Sequence, residues 1–184
     1  MWQRSVPEAV QTWLDQLPDT HLPTGRFSLS PADAGACVRH LFVETGIADH
    51  PALAWLCQDA DRLAALIARV CDVSTVRLRF EAVYDNACRK FHVDNVGARL
   101  ICTYRGPGTQ IGLGEHDTSK ITTISTGAPI LLKGRQSSQG QDIILQHRSP
   151  PIEGTGVSRL VLVLEPGHED DEIGTSYDRR FSPN

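Results

Sequence analysis

The sequence lacks the features that mark membrane, secreted and nucleic-acid-binding proteins. No stretch approaches the roughly 20 apolar residues that a membrane-spanning helix needs, and the N-terminal residues lack the apolar core of a signal peptide. The formal net charge of -4 gives no overall attraction to nucleic acid or to anionic membranes. The sequence therefore predicts a cytoplasmic protein with no nucleic-acid partner and no membrane partner.

Paired cysteine motifs and a phosphate-binding loop are also absent. The chain has 5 cysteines, an odd number, and none forms Cys-x-x-Cys, which argues against a disulfide framework or a structural zinc knuckle. Gly106-Pro107-Gly108 lacks the lysine and helix context of a phosphate loop, and it predicts a tight turn instead.

The length and the residue pattern favour one mixed domain spanning residues 1–184. With 184 residues, 40% of them hydrophobic, the chain can bury a substantial core. Residues 1–72 look helical, with two or three helices between Pro31 and Asp72. Residues 73–166 contain short β-rich runs separated by turn residues, and residues 167–184 form a polar, acidic tail. The predicted class is α+β, with N-terminal helices bracing a β-barrel. The expected strands are Ser74–Tyr84, Ala98–Tyr104, Lys120–Thr126, Ala128–Gly134, Asp142–His147 and Arg159–Glu165.

The motif Phe91-His92-Val93-Asp94 is the first candidate for a metal site. Residues i and i+2 of an extended strand share a face, so His92 and Asp94 would point the same way. Together with a second imidazole from a distant strand, they would form the two-histidine, one-carboxylate arrangement associated with non-haem iron(II) oxygenases.

His147 is the preferred third ligand, because it ends a strand-like run and is followed by a turn and another strand. Arg159 opens that last strand twelve residues after His147. An arginine there can form a bidentate pair with a carboxylate-bearing cosubstrate near the metal. The histidines not chosen are His21, His40, His50, His116 and His168.

The same residues also allow purely structural interpretations. His92 and Asp94 can be a polar strand face, and His147 can be a buried histidine hydrogen-bonded to a backbone carbonyl. Arg159 can be a structural arginine paired with Glu153 or Glu165.

Two further groups have alternative readings. The basic residues in the β-rich half outnumber the acids around them, which suits either an anionic ligand or a solvated strand face. The other group, Glu115-His116-Asp117, is interpreted as a loop rather than a metal site, and Cys88 as an ordinary buried thiol rather than a thiolate ligand. The basic residues are Arg77, Arg79, Arg89, Lys90, Arg99 and Arg105.

The order His92-x-Asp94, His147, Arg159 resembles the double-stranded β-helix of iron(II)/2-oxoglutarate dioxygenases, a jelly-roll, cupin-like barrel. The run Gly127–Gly134 is similar to the glycine-led strand that precedes the second histidine there. More narrowly, residues 84–165 resemble an uncharacterised bacterial family associated with zinc-homeostasis GTPases. The motifs that carry this narrower resemblance are FHVD, TYRGPGT, LLKG, HRSPP and RLVLVLE.

The dioxygenase resemblance implies roles for particular residues. His92, Asp94 and His147 would hold iron(II), and Arg159 would pair with the distal carboxylate of 2-oxoglutarate. Thr103 or Tyr104 would add a hydroxyl to that carboxylate, and Lys133 is a weaker substitute for Arg159. The implied function is an iron(II)- and 2-oxoglutarate-dependent oxygenase acting on a small-molecule or protein substrate.

Two other functions use the same three ligands. One is a non-catalytic zinc-binding or zinc-homeostasis protein, since zinc outcompetes iron(II) on affinity. The other is a metal hydrolase in which zinc-bound water is the nucleophile. A homodimer is an open alternative to the monomer.

Overall fold

The computed structural model describes residues 4–113, 121–137 and 143–167, and in this part of the chain three α-helices pack on one face of the larger of two antiparallel sheets. The acidic tail from residue 168 lies outside the described residues. The helices are α1 (Glu8–Gln16), α2 (Ala34–Glu44) and α3 (Pro51–Cys71). The strands are β1 (Gly25–Leu29), β2 (Val76–Val83), β3 (Ala98–Arg105), β4 (Gln110–Gly112), β5 (Thr122–Thr123), β6 (Ile130–Lys133), β7 (Gln146–Arg148) and β8 (Arg159–Pro166).

Helix α3 shows why the helical part folds as the sequence predicts. The ring of His50 accepts a hydrogen bond from the backbone N–H of Ala52, and Pro51 occupies the first turn, where no N–H is needed. The helix ends at Asp72, which adopts a left-handed φ of 53°. The prediction of two or three helices between Pro31 and Asp72 is confirmed by α2 and α3.

The larger sheet has the strand order β1-β2-β8-β3-β6, so that β8 lies at its centre. Alternate side chains of β8 point to opposite faces, as strand geometry requires. Leu160, Leu162 and Leu164 join the cluster packed under the helices, whereas Val161 and Val163 join a second apolar cluster on the other face. The sheet is therefore covered by helices on one face.

The smaller sheet has the order β5-β4-β7 and contributes Ile111 to the second apolar cluster. Within the described residues every strand pair is antiparallel, and neither sheet closes on itself. No helix among these residues has the length and apolar character needed to cross a membrane.

The predicted strands are largely confirmed, with two differences. β2, β3, β5, β6, β7 and β8 all lie in or overlap the expected runs. The prediction of a helical first 72 residues is corrected by β1, a five-residue strand that pairs with β2 and buries Phe27 and Leu29. Its two apolar positions are too few to give a clear period-two signal. The short strand β4 was also not expected, and it directly follows the turn Gly106-Pro107-Gly108.

Candidate metal centre

His92 and His147 are brought together by backbone pairing. They form an isolated antiparallel bridge in which each backbone N–H donates to the other residue's carbonyl at 3.0 Å. The two imidazole rings lie 4.5 Å apart, centroid to centroid. This single bridge joins two segments that are far apart in the chain, and it sets the spacing of the two imidazoles.

Asp94 completes the cluster although it lies outside any strand. The expected continuous strand through His92 and Asp94 is wrong, because only the bridge at His92 is present and the chain then bends before β3. The two side chains nevertheless converge, with His92 Nε2 3.5 Å from Asp94 Oδ1 and His147 Nε2 3.2 Å from Asp94 Oδ2. One ligand atom from each residue lies within 4.8 Å of the others.

The two oxygens of Asp94 have different surroundings. Oδ1 accepts a hydrogen bond from Nη1 of Arg99, whose Nε donates to Glu165 Oε1 at 2.8 Å. Oδ2 is buried and accepts no hydrogen bond from the described residues, although His147 Nε2 lies 3.2 Å from it without hydrogen-bond geometry. An unpartnered buried carboxylate oxygen is costly in an apolar environment, and a cation is the group that would compensate it. This oxygen is the strongest indication that the residues fit a metal ion.

The tautomer of His92 also suits metal binding. Its Nδ1 lies 2.8 Å from the carbonyl oxygen of Lys90. A carbonyl only accepts, so Nδ1 carries the proton, and in the neutral ring the Nε2 lone pair then faces the cluster. A backbone carbonyl on the second nitrogen is the usual way to orient a metal-binding histidine.

The protonation tendencies of the three groups follow from burial and from their mutual contacts. Burial lowers the pKa of His147 to about 4, so that it is neutral at physiological pH. A hydrogen bond that the protonated His92 ring donates to Asp94 favours the charged form and raises the pKa of His92. Burial alone would raise the pKa of Asp94, but the hydrogen bond from His92 and the charge of Arg99 together lower it. A carboxylate beside a neutral imidazole is the donor set that iron(II) and zinc accept.

Arg159 is buried without an acidic partner among the described residues. Its side chain is among the largest fully buried ones, with 1% exposure, and neither Glu153 nor Glu165 pairs with it. Its guanidinium donates to Pro107 O at 2.7 Å, to Ser149 Oγ at 3.0 Å and to Thr103 Oγ1 at 3.3 Å. Burial lowers its pKa to about 10. The charge of Glu81 opposes this shift, but no acid among the described residues forms an ion pair with Arg159, so its position favours binding of an anion.

The turn that meets Arg159 has the conformation that its sequence predicts. Gly106 has a φ of 74°, which favours glycine, and a Cβ on Gly108 would lie 1.8 Å from the carbonyl oxygen of Ile124. The carbonyl of Pro107 in this turn accepts the hydrogen bond from Nε of Arg159. The turn therefore helps to fix the guanidinium.

The remaining predicted cosubstrate residues are separated. Thr103 lies beside Arg159. Tyr104, the next residue on β3, points to the helical face and donates to Asp59 at 2.6 Å. Lys133 is exposed on the outer strand β6, where it pairs with Ala98. The structure therefore brings Thr103, but neither Tyr104 nor Lys133, to the buried arginine.

Sequence reasoning missed Arg99, Glu165 and Ser149. Arg99 was noted only as one of several basic residues, and Glu165 only as a candidate partner for Arg159. Arg99 instead bridges Asp94 and Glu165. Ser149 lies two residues after His147, a spacing that places both on one face of a strand and was available from the sequence.

The other polar candidates lie elsewhere. His50 caps α3 and His40 is exposed on α2. The prediction that Cys88 is buried is wrong: it is exposed, and its backbone carbonyl accepts a hydrogen bond from the N–H of Ser149 at 2.9 Å. His116 with its acidic neighbours, and His168, lie outside the described residues.

Three solved structures illustrate what the chain is similar to. Hydroxypropylphosphonic acid epoxidase from S. wedmorenis matches with a TM-score of 0.33 and 16% identity, over 49% of this chain and 42% of the epoxidase. Dioxygenase for auxin oxidation 1 from Arabidopsis thaliana, in a complex with 2-oxoglutarate, matches with a TM-score of 0.49 and 11% identity, over 89% of this chain and 77% of that chain. A cupin-2 domain protein from Shewanella frigidimarina matches with a TM-score of 0.33 and 10% identity, over 50% and 71%. The chain thus spans less than half of the epoxidase.

No curated protein matches the chain. A family model described as "Protein of unknown function (DUF1826)" matches residues 1–165. This range includes the three helices, nearly all of both sheets, and the clustered residues His92, Asp94 and His147. The similarity therefore extends beyond the β-rich half to which the sequence motifs pointed.

Proposed function

The chain belongs to the DUF1826 family, and we propose that it is a non-haem iron(II)- and 2-oxoglutarate-dependent oxygenase whose metal is held by His92, Asp94 and His147. The observation that carries the proposal is the cluster of His92, Asp94 and His147, in which Asp94 Oδ2 is buried and accepts no hydrogen bond from the described residues. Three protein ligands leave the open coordination positions that such a reaction needs.

Each ligand has a separate task in the proposed site. His92 is oriented by the Lys90 carbonyl, and His147 is held beside it by the backbone bridge. Asp94 keeps Oδ1 on Arg99 and presents Oδ2 to the cluster. Iron(II) bound there with 2-oxoglutarate would supply the activation of dioxygen for substrate oxidation.

Arg159 supports the cosubstrate half of the proposal. A buried guanidinium that forms no ion pair among the described residues suits an anionic ligand, and a carboxylate has the geometry that a guanidinium binds through two hydrogen bonds. Thr103 and Ser149 would then orient the guanidinium. The jelly-roll arrangement of the two sheets belongs to the same proposal.

The first experiment measures the metal. Protein purified under anaerobic conditions should contain iron, or take up one equivalent of iron(II), and the variants His92→Ala, Asp94→Ala and His147→Ala should each lose it. The matched control is His40→Ala, because His40 is exposed on α2. If His40→Ala loses metal as the triad variants do, or if the triad variants keep it, the ligand assignment is wrong.

The second experiment titrates 2-oxoglutarate into the iron(II) protein and follows the charge-transfer absorption band. Arg159→Lys and Thr103→Val should weaken the response roughly tenfold or more, since each removes a hydrogen bond to or beside a charged group. Both variants should keep the metal. Zinc in the purified protein, with no response to 2-oxoglutarate, would indicate the zinc-binding alternative, and zinc-dependent hydrolysis would indicate the hydrolase.

The remaining sequence predictions stay predictions. They are the single domain, the cytoplasmic location, the absence of a nucleic-acid partner, the open choice between monomer and homodimer, and the association with zinc-homeostasis GTPases.

A further inference from the structure

Three arginines share one face of strands β1 and β2. Arg77 and Arg79 are two residues apart on β2, so they point to the same side of the sheet. Arg26 on β1 is directly opposite Arg79, and Ser28 is directly opposite Arg77. Directly opposite residues of an antiparallel pair share a face, so the three guanidinium groups form one surface, called here the arginine face.

The arginine face lies on the same side of the sheet as the candidate metal centre. Arg77 is opposite Glu165 of β8, and Nη2 of Arg77 lies 3.1 Å from Glu165 Oε2. Glu165 in turn contacts Arg99, which contacts Asp94. The row from Arg77 to Arg99 crosses two strand spacings, about 10 Å, and Arg99 contacts Asp94, so the two sites lie on the same face of the sheet.

Solvent reaches the arginine face but not the middle of the sheet. Val161 and Val163, on the same side of β8, are 5% and 4% exposed. The side chains of Arg77 and Arg79 are 34% and 30% exposed, and Arg26 is exposed. The second sheet and its apolar cluster therefore cover the centre of the large sheet and leave the β1–β2 side open.

The positive charge of this face is incompletely balanced. Like charges directly opposite each other destabilise a sheet, and Arg26 has no ion pair among the described residues. Glu165 forms ion pairs with both Arg77 and Arg99. Among the described residues Arg79 forms an ion pair only with Glu81, at 3.4 Å. The Nε of Arg77 is buried and has no hydrogen-bond partner within the part of the chain that the structure describes. A solvated strand face explains exposed arginines, but it leaves this buried donor and the opposed charges unexplained.

We propose that the arginine face binds the phosphate group of a phosphorylated small-molecule substrate and directs the rest of that molecule to the metal centre. A phosphate monoester carries nearly two negative charges and three acceptor oxygens, which suits several converging guanidinium groups. A single carboxylate has one charge and two oxygens, enough for one arginine. The chain as a whole has a net charge of -4, so this attraction is local.

The substrate role rests on the proposed metal-dependent function, but phosphate binding is testable without metal. The probe is inorganic pyrophosphate, titrated calorimetrically at low ionic strength into metal-free full-length protein, with citrate as a carboxylate of similar charge. Pyrophosphate should bind roughly tenfold more tightly than citrate. Arg26→Gln, Arg77→Gln and Arg79→Gln should each weaken it roughly tenfold, as expected for loss of a charged hydrogen bond.

The matched control is Arg62→Gln, which removes the same charge from an exposed position on α3; its effect should stay below about twofold, because it changes only the screened long-range field. Arg26→Gln guards against misfolding, since this side chain is exposed and makes no ion pair among the described residues.

Absent pyrophosphate binding, equal citrate binding, or equal weakening by Arg62→Gln would overturn the proposal. Metal uptake, measured separately on the wild type, distinguishes the two proposals. Pyrophosphate binding without metal uptake would remove the oxygenase, whereas metal uptake without pyrophosphate binding would remove only the arginine face.

Discussion

Two buried aspartates lie on opposite sides of the large sheet, and each contacts an arginine. Asp59, on the helical side, has both oxygens satisfied, because Arg4 donates to each of them and Tyr104 donates to Oδ2. Asp94 lies on the other side. Its Oδ1 accepts a hydrogen bond from Arg99, whereas its Oδ2 accepts none from the described residues. Both residues are carboxylates, but among the described residues hydrogen bonds reach both oxygens of Asp59 and only one oxygen of Asp94.

The difference separates a structural carboxylate from one suited to bind a ligand. Asp59 joins the N-terminal segment to α3 and β3, and its hydrogen bonds leave nothing for another group. Asp94 is held in place through Oδ1, which also lies 3.5 Å from His92 Nε2, and its Oδ2 faces His147 Nε2 at 3.2 Å. Complete pairing stabilises a fold, whereas a buried atom left open indicates a site where a cation would bind.

The largest expected effect distinguishes the two aspartates by stability. In metal-free protein, Asp59→Ala should lower the free energy of unfolding by about 4 kcal/mol, because it leaves Arg4 and Tyr104 without their shared partner. Asp94→Ala should cost only about 1 kcal/mol, since Arg99 keeps Glu165. Urea denaturation measures both. Equal losses in the two variants would contradict the comparison.

Metal should reverse this order in binding experiments. Saturating metal, at about a hundred times its dissociation constant, should raise the free energy of unfolding of the wild type by roughly 2.7 kcal/mol. Asp59→Asn, a milder change than alanine, should keep this increment if it folds, and Asp94→Asn should lose it. Thermal unfolding with and without metal shows the two increments, and a full increment in Asp94→Asn would rule out Asp94 as a ligand.

An intermediate effect comes from pH. Burial lowers the pKa of His147 from 6.5 to about 4, so between these values the unfolded chain binds a proton that the folded chain does not. The free energy of unfolding of metal-free protein should therefore fall as the pH drops through this range, by up to about 3 kcal/mol. His147→Gln should remove most of this slope. Denaturation curves between about pH 7 and pH 4 measure it, and parallel slopes in the two proteins would refute the assignment.

The smallest effect concerns the arginine that holds Asp94. Arg99→Gln should cost about 2 kcal/mol, because Arg99 makes partly buried, charge-assisted contacts with Asp94 and Glu165. The control is Arg39→Gln, since Arg39 pairs with Asp49 at the surface, where their side chains are 41% and 85% exposed. That variant should cost less than about 0.5 kcal/mol. Denaturation midpoints compare the two, and similar losses would mean that Arg99 does not secure Asp94.

The sequence predicted the members of the cluster better than the backbone that carries them. His92 and Asp94 are near neighbours in the chain, so their proximity needs only a local conformation, and both a strand and the observed bend provide it. The assignment of Tyr104 to the cosubstrate did not use the period-two alternation of β3, which sends Thr103 and Tyr104 to opposite faces. Knowing which face carried the metal required the sheet order.

Arg99 and Glu165 show what local patterns do not reveal. They are 66 residues apart in the chain and meet because β3 and β8 are neighbours in the sheet. The arginine face arises in the same way, since Arg26 and Arg79 become opposite only in the observed register of β1 and β2. A shift of that register by one residue would send one of the two to the other face.

The sequence by itself determined the helices and most strands, because apolar periodicity reflects backbone geometry that depends on near neighbours alone. It also determined which residue types were available as ligands. The tertiary structure decided that His147 pairs with His92. It also decided that, among the described residues, Oδ2 of Asp94 accepts no hydrogen bond and the buried Arg159 forms no ion pair with an acid. These properties depend on strand register and on contacts between segments far apart in the chain, and the burial that gives them their chemistry exists only once both faces of the sheet are packed.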